Sequence, residues 1–117
     1  MNEKVLGQLR EAVSTAGTHT WPDVEAEIAA GSMQLWETDT AAIVTQLQVY
    51  PQGKAVCFFL AAGDLRQLQR MMPPLEEWGR QQGCTGAFMI GRAGWARSFL
   101  TKDMDWRQTA IVLEKKL

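Results

Sequence analysis

The sequence has one histidine, two cysteines and one tyrosine in 117 residues, and almost no excess of charge of either sign. Each shortage removes a class of function. The lone imidazole, His19, lies in Gly17-Thr18-His19-Thr20. No Gly-x-Ser-x-Gly elbow is present that would use it in a hydrolytic triad, so it reads as a loop residue. Cys57 sits in the apolar run Val56-Cys57-Phe58-Phe59-Leu60, and Cys84 follows Gly83. Neither belongs to a CxxC pair, which argues against a structural zinc site; both read as reduced, buried thiols, and no metal ligands are assigned. Twelve Lys+Arg against thirteen Asp+Glu leave a net charge of −1, so bulk charge draws the chain to no polyanion. No apolar run approaches the ~18–20 residues of a membrane span. The opening Met1-Asn2-Glu3-Lys4 lacks the charged-then-apolar pattern of a secretory leader.

What is present is the composition of an ordinary folded protein, 46% hydrophobic and 21% charged, and its length predicts one domain over residues 1–117. Val5, Leu6, Leu9 and Val13 recur at helical spacing and predict a helix over 3–15, ended by Gly17. Thr20-Trp21-Pro22-Asp23 opens a second helix: Thr20 can cap it, Pro22 suits the first turn, Asp23 and Glu25 suit the positive end of its dipole, and Gly31 stops it. Three strands follow, at 33–37, 41–50 and 55–60. In the second, Ile43, Thr45, Leu47 and Val49 fall on one face, and Pro51-Gln52-Gly53-Lys54 reads as a hairpin turn. The third is apolar throughout, as a central strand covered on both sides would be.

Ala61-Ala62-Gly63-Asp64 reads as the loop into a long helix, 65–82, with Leu65, Leu68, Met72, Leu75 and Trp78 as its apolar stripe. Pro73-Pro74 inside it each remove an amide donor, which predicts a kink or a split. A buried strand is expected at 85–90, a short helix at 92–101 with Trp95, Phe99 and Leu100 inward, and a last strand at 107–113 before the charged Glu114-Lys115-Lys116. The order α-α-β-β-β-α-β-α-β is an α+β class with a mixed sheet: antiparallel strands lead into a β-α-β crossover, with helices on both faces.

This order, and the second half above all, resembles the GNAT family of N-acetyltransferases. The stretch 65–83, ending Glu77-Trp78-Gly79-Arg80-Gln81-Gln82-Gly83-Cys84, is similar to the family's central helix and its closing glycine. Residues 85–90, then 92–106 and Arg107-Gln108-Thr109-Ala110-Ile111-Val112-Leu113-Glu114-Lys115, resemble the strand, helix, aromatic turn and final strand that follow. Trp36-Glu37, Leu60-Ala61-Ala62-Gly63-Asp64-Leu65 and Gly91-Arg92-Ala93-Gly94-Trp95-Ala96-Arg97 also resemble small GNAT-like proteins of tailed phages and prophages, which accompany virion assembly genes. The likeness covers about residues 20–117.

The resemblance implies a place for acetyl-CoA: a Gln/Arg-x-x-Gly-x-Gly/Ala loop whose amides, with the next helix N-terminus, hold the pyrophosphate. The corresponding residues are Leu60, Ala61, Ala62 and Gly63, followed by Asp64. They contain one glycine and no Arg or Gln ahead of it. Asp64 is placed to cap the helix itself, taking its free amides and setting a carboxylate where the pyrophosphate would lie. The family's chemistry also wants a proton acceptor and often a tyrosine on the last helix. Here 55–60 holds no carboxylate, Phe99 and Leu100 stand near the tyrosine's place, and the one tyrosine, Tyr50, ends an earlier strand beside a turn. Glu37 and Asp39 read as solvated loop residues near the cleft mouth. No catalytic residue is therefore assigned and no cofactor is expected. The expected function is a non-catalytic GNAT-fold phage or prophage protein, a virion component or an assembly or DNA-ejection accessory, working through contacts with other virion or assembly proteins. It would reside in the virion or the bacterial host cytoplasm. The alternative is an acetyl-CoA-dependent N-acetyltransferase with a divergent loop.

Five tryptophans, Trp21, Trp36, Trp78, Trp95 and Trp106, are many for this length. They read as core or half-buried anchors, with room for one or two at a protein interface. Arg92, Arg97, Lys102 and Arg107 cluster with Trp95 and Trp106, the mixture a nucleic-acid surface uses. Asp103 and Asp105 interrupt that cluster, so it reads as a solvated face.

Overall fold

The computed structural model describes residues 2–117; Met1 lies outside them. The chain runs α1 (Glu3–Ala16), α2 (Trp21–Ala30), β1 (Met33–Glu37), β2 (Ala41–Tyr50), β3 (Gly53–Gly63), α3 (Leu65–Gln81), β4 (Gly86–Phe88), a 3₁₀ turn (Ala93–Arg97) and α4 (Phe99–Asp103). The four strands form one mixed sheet in the order β1-β2-β3-β4, antiparallel except for the parallel β3–β4 pair that α3 connects.

Local chemistry sets most of the boundaries. Asn2 accepts the Lys4 amide at the start of α1, and Gly17, at φ 73, ends that helix. The α2 start is a complete capping box: the Asp23 amide donates to the Thr20 hydroxyl while the Thr20 amide donates to the Asp23 carboxylate at 2.7 Å. Those bonds hold the Asp23 carboxyl below its ordinary range, with the Thr20 amide the largest cause and His19 a smaller one. Gly31, at φ 84, closes α2.

The core lies on both faces of the sheet. On one, α1 and α2 bury Val5, Leu9, Val13 and Val24 against Met33, Ala42, Val44, Leu60 and Ala62. On the other, Leu68, Met71, Met72 and Leu75 of α3, with Leu100 of α4, cover Ala41, Ile43, Val56 and Phe58. β2 alternates between the two, as its pattern predicts. β3 does not. Thr45 pairs with Phe58 and Val44 with Leu60, so Phe59 is an extra residue, a bulge. Before it Val56 and Phe58 face α3; after it Leu60 and Ala62 face α1 and α2. One inserted residue thus moves the strand's apolar set to the opposite face.

Several expectations are corrected. Residues 61–63 are not loop: β3 continues through Gly63, paired with Ala41. Leu65 is 59% exposed and outside the α3 stripe, because it is the first helical residue and precedes the buried face. Pro73 and Pro74 do not split α3, which is helical from Leu65 to Gln81. Both prolines are on its solvent side, and the neighbouring Met71, Met72 and Leu75 are buried, so packing outweighs the two missing amide donors. The strand expected at 85–90 pairs only over Gly86–Phe88, and the helix expected at 92–101 is a 3₁₀ turn and a short α-helix separated by Ser98, which caps α4. The strand expected at 107–113 is absent: residues 107–117 carry no regular structure and are exposed, Ile111 at 70% and Leu113 at 87%. A strand pattern forms a strand only where an edge receives it, and this segment pairs with no strand of the sheet.

No helix among the described residues is long and apolar enough to cross a membrane.

Candidate functional site

The residues carrying the expected cofactor site meet at the corner where β3 hands over to α3. Leu60 and Ala62 are buried toward α1 and α2, Ala61 packs on the α3 side, and Gly63 lies against β2. A Cβ on Gly63 would stand 2.2 Å from the Thr40 carbonyl oxygen, and φ there is +109, so only glycine fits. The Asp64 amide donates to the Thr40 carbonyl at 3.0 Å, and the Asp64 carboxylate accepts the Arg66 amide at 3.3 Å. Two amides at the head of α3 are therefore taken by the protein itself, and the carboxylate caps the helix as the sequence predicts.

Asp64 is exposed. Water then reduces its repulsion of an anion 4 Å away to about 1 kcal/mol. The carboxylate's charge is a minor obstacle to a pyrophosphate; the occupied amides and the lack of space are larger ones.

Beyond the corner, β4 leaves β3 after Phe88, and the opening between them is closed by side chains. Phe58 and Phe59 of β3, Met89 and Ile90 after β4, Trp95 of the 3₁₀ turn and Phe99 of α4 surround a cavity of about 50 Å³. Trp95 and Phe99 meet edge to face at 6.2 Å. The wall carries no titratable side chain. A space of this volume holds a water molecule or two and not an acyl-pantetheine arm.

The other residues singled out in the sequence are dispersed. His19 hydrogen-bonds the Thr18 hydroxyl at 2.9 Å, lies 3.4 Å from the Glu27 carboxylate and meets the Phe59 ring edge to face at 5.0 Å. It fastens the α1–α2 loop to the bulge. Cys57 and Cys84 are free and buried, and burial pushes the Cys57 thiol up to about 11, which leaves it protonated and unreactive at neutral pH. Tyr50 is at the far end of β2, its ring 6.5 Å from Phe88. Trp95 and Trp106 are half-buried against Phe99 and Phe58, so their faces are used in packing and not offered to bases. No group of three or more His, Cys, Asp or Glu side chains among the described residues could hold a metal ion.

Sequence reasoning missed two arrangements. One is a polar chain inside the sheet: the Trp36 indole donates to the Thr45 hydroxyl at 2.9 Å, and that hydroxyl donates to Gln34 at 2.8 Å. Thr45 is fully buried, and Trp36 meets Trp78 of α3 edge to face at 5.1 Å. Its signal was Thr45 in an otherwise apolar face. The other is the anchor of the C-terminal segment. The Trp106 indole hydrogen-bonds Glu76, its ring meets Phe58 edge to face at 5.5 Å, and its amide donates to the Leu100 carbonyl at 3.0 Å. Burial raises the Glu76 carboxyl, while Arg80 and the indole pull it back. No spacing rule links Glu76 to Trp106.

Comparison with protein-family models, with curated proteins and with solved structures finds no match.

Proposed function

We propose that this chain is a non-catalytic protein of GNAT-like topology that acts through protein contacts. The proposed setting is that of a tailed phage or prophage, as a virion component or an assembly or DNA-ejection accessory. The observation that carries the non-catalytic part is the corner at Gly63-Asp64. The Asp64 and Arg66 amides are bonded within the chain, and the adjoining cavity of about 50 Å³ is lined by apolar side chains. An anion would have to displace the Asp64 cap, and an acyl arm would have to displace Trp95 or Phe99. The element order through β4 and the helix-capped parallel crossover support the topology; the setting rests on the resemblance of the sequence.

The test is titration with acetyl-CoA and with CoA. Calorimetry should show no heat of binding at micromolar protein, and millimolar CoA should leave Tm unchanged. A micromolar Kd together with acetyl transfer to an amine would overturn the reading in favour of an N-acetyltransferase with a divergent loop. Mass spectrometry of purified particles from a host carrying the gene tests the setting: the chain should co-purify with virion or assembly proteins.

A further inference from the structure

We draw no further inference here: the strongest candidate, the largely apolar groove between β4 and residues 106–112, is a surface for which nothing in the structure shows what covers it.

Discussion

Gly63→Ala tests the reasoning at the β3–α3 corner most directly, because two separate costs act on one methyl group. The first is conformational. At φ +109 an L-residue lies beyond even the left-handed helical well, at about 1–2 kcal/mol or more. The second is steric. The added Cβ would be 2.2 Å from the Thr40 oxygen and 2.6 Å from the Ala41 Cα, against an ordinary contact of about 3.5 Å. Both atoms are backbone, so no rotamer change relieves the clash, and the turn must open. Opening it strains the Asp64 amide bond to Thr40 at 3.0 Å and the Thr38 amide bond to Ala41 at 2.8 Å, each worth about 1 kcal/mol.

The sum is about 3–4 kcal/mol, a large part of the 5–15 kcal/mol typical of a small protein, and a fall in Tm of roughly 10–20 °C. Gly17→Ala is the control. It shares a positive φ, +73, but its Cβ would meet nothing within 4 Å, so only the conformational cost of about 1 kcal/mol applies. Urea denaturation followed by tryptophan fluorescence measures both. If Gly63→Ala costs no more than Gly17→Ala, the close approach of β2 to the corner is not what fixes glycine there, and the account of the closed loop fails with it.

Three further substitutions probe the packing and its electrostatics. Thr45→Val keeps the shape but leaves the Trp36 indole and Gln34 without their shared partner, so it should lose about 2 kcal/mol, whereas Thr45→Ser keeps both bonds and should lose about 1; a valine variant more stable than the serine variant in urea would refute the buried chain. Burial raises the Glu76 carboxyl above its ordinary 4.5, so the folded state holds that proton more tightly than the unfolded state. Glu76→Gln should then have the higher Tm at pH 7, with the gap closing as pH falls toward 4.5; a constant gap from pH 7 to 4 would contradict this. Asp23 has the opposite sign. Its carboxyl is lowered from 3.8 by the Thr20 bonds, so its contribution is present above that value and fades as pH falls through the lower folded one. Asp23→Asn should lower Tm at pH 7, and the gap should narrow as pH falls below 3.8; a gap that stays constant or widens there would contradict this.

The first half of the fold was legible because its signals are local. Thr20 three residues before Asp23 and the glycines at 17 and 31 act through contacts within a few residues, and each stands where the sequence places it; the turn expected over Pro51-Gln52-Gly53-Lys54 is there too but tighter, because Gly53 and Lys54 already pair with Tyr50 and Val49 as the start of β3. The bulge at Phe59 was not legible. Val56-Cys57-Phe58-Phe59-Leu60 is apolar at every position, so no alternation records where the strand changes face; the change follows from α1 and α2 covering one end of β3 and α3 the other. The double proline misled for a similar reason. Its cost is local and visible, while the burial of Met71, Met72 and Leu75 that outweighs it depends on a sheet assembled from elsewhere.

The candidate site divides along the same line. That Asp64 would cap α3 follows from its position before the helix, and it does; that β3 would run on through Gly63 depends on Thr40 and Ala41, more than twenty residues away in sequence. The C-terminal segment is the sharpest case. Its composition predicts a strand, and the mistake lay in supplying the partner. Intrinsic preference is worth at most about 1 kcal/mol per residue and is realised only against a neighbouring strand. Trp106 sets where the segment leaves the core, through a ring contact with Phe58 and a bond to Glu76 that no pattern in the sequence links.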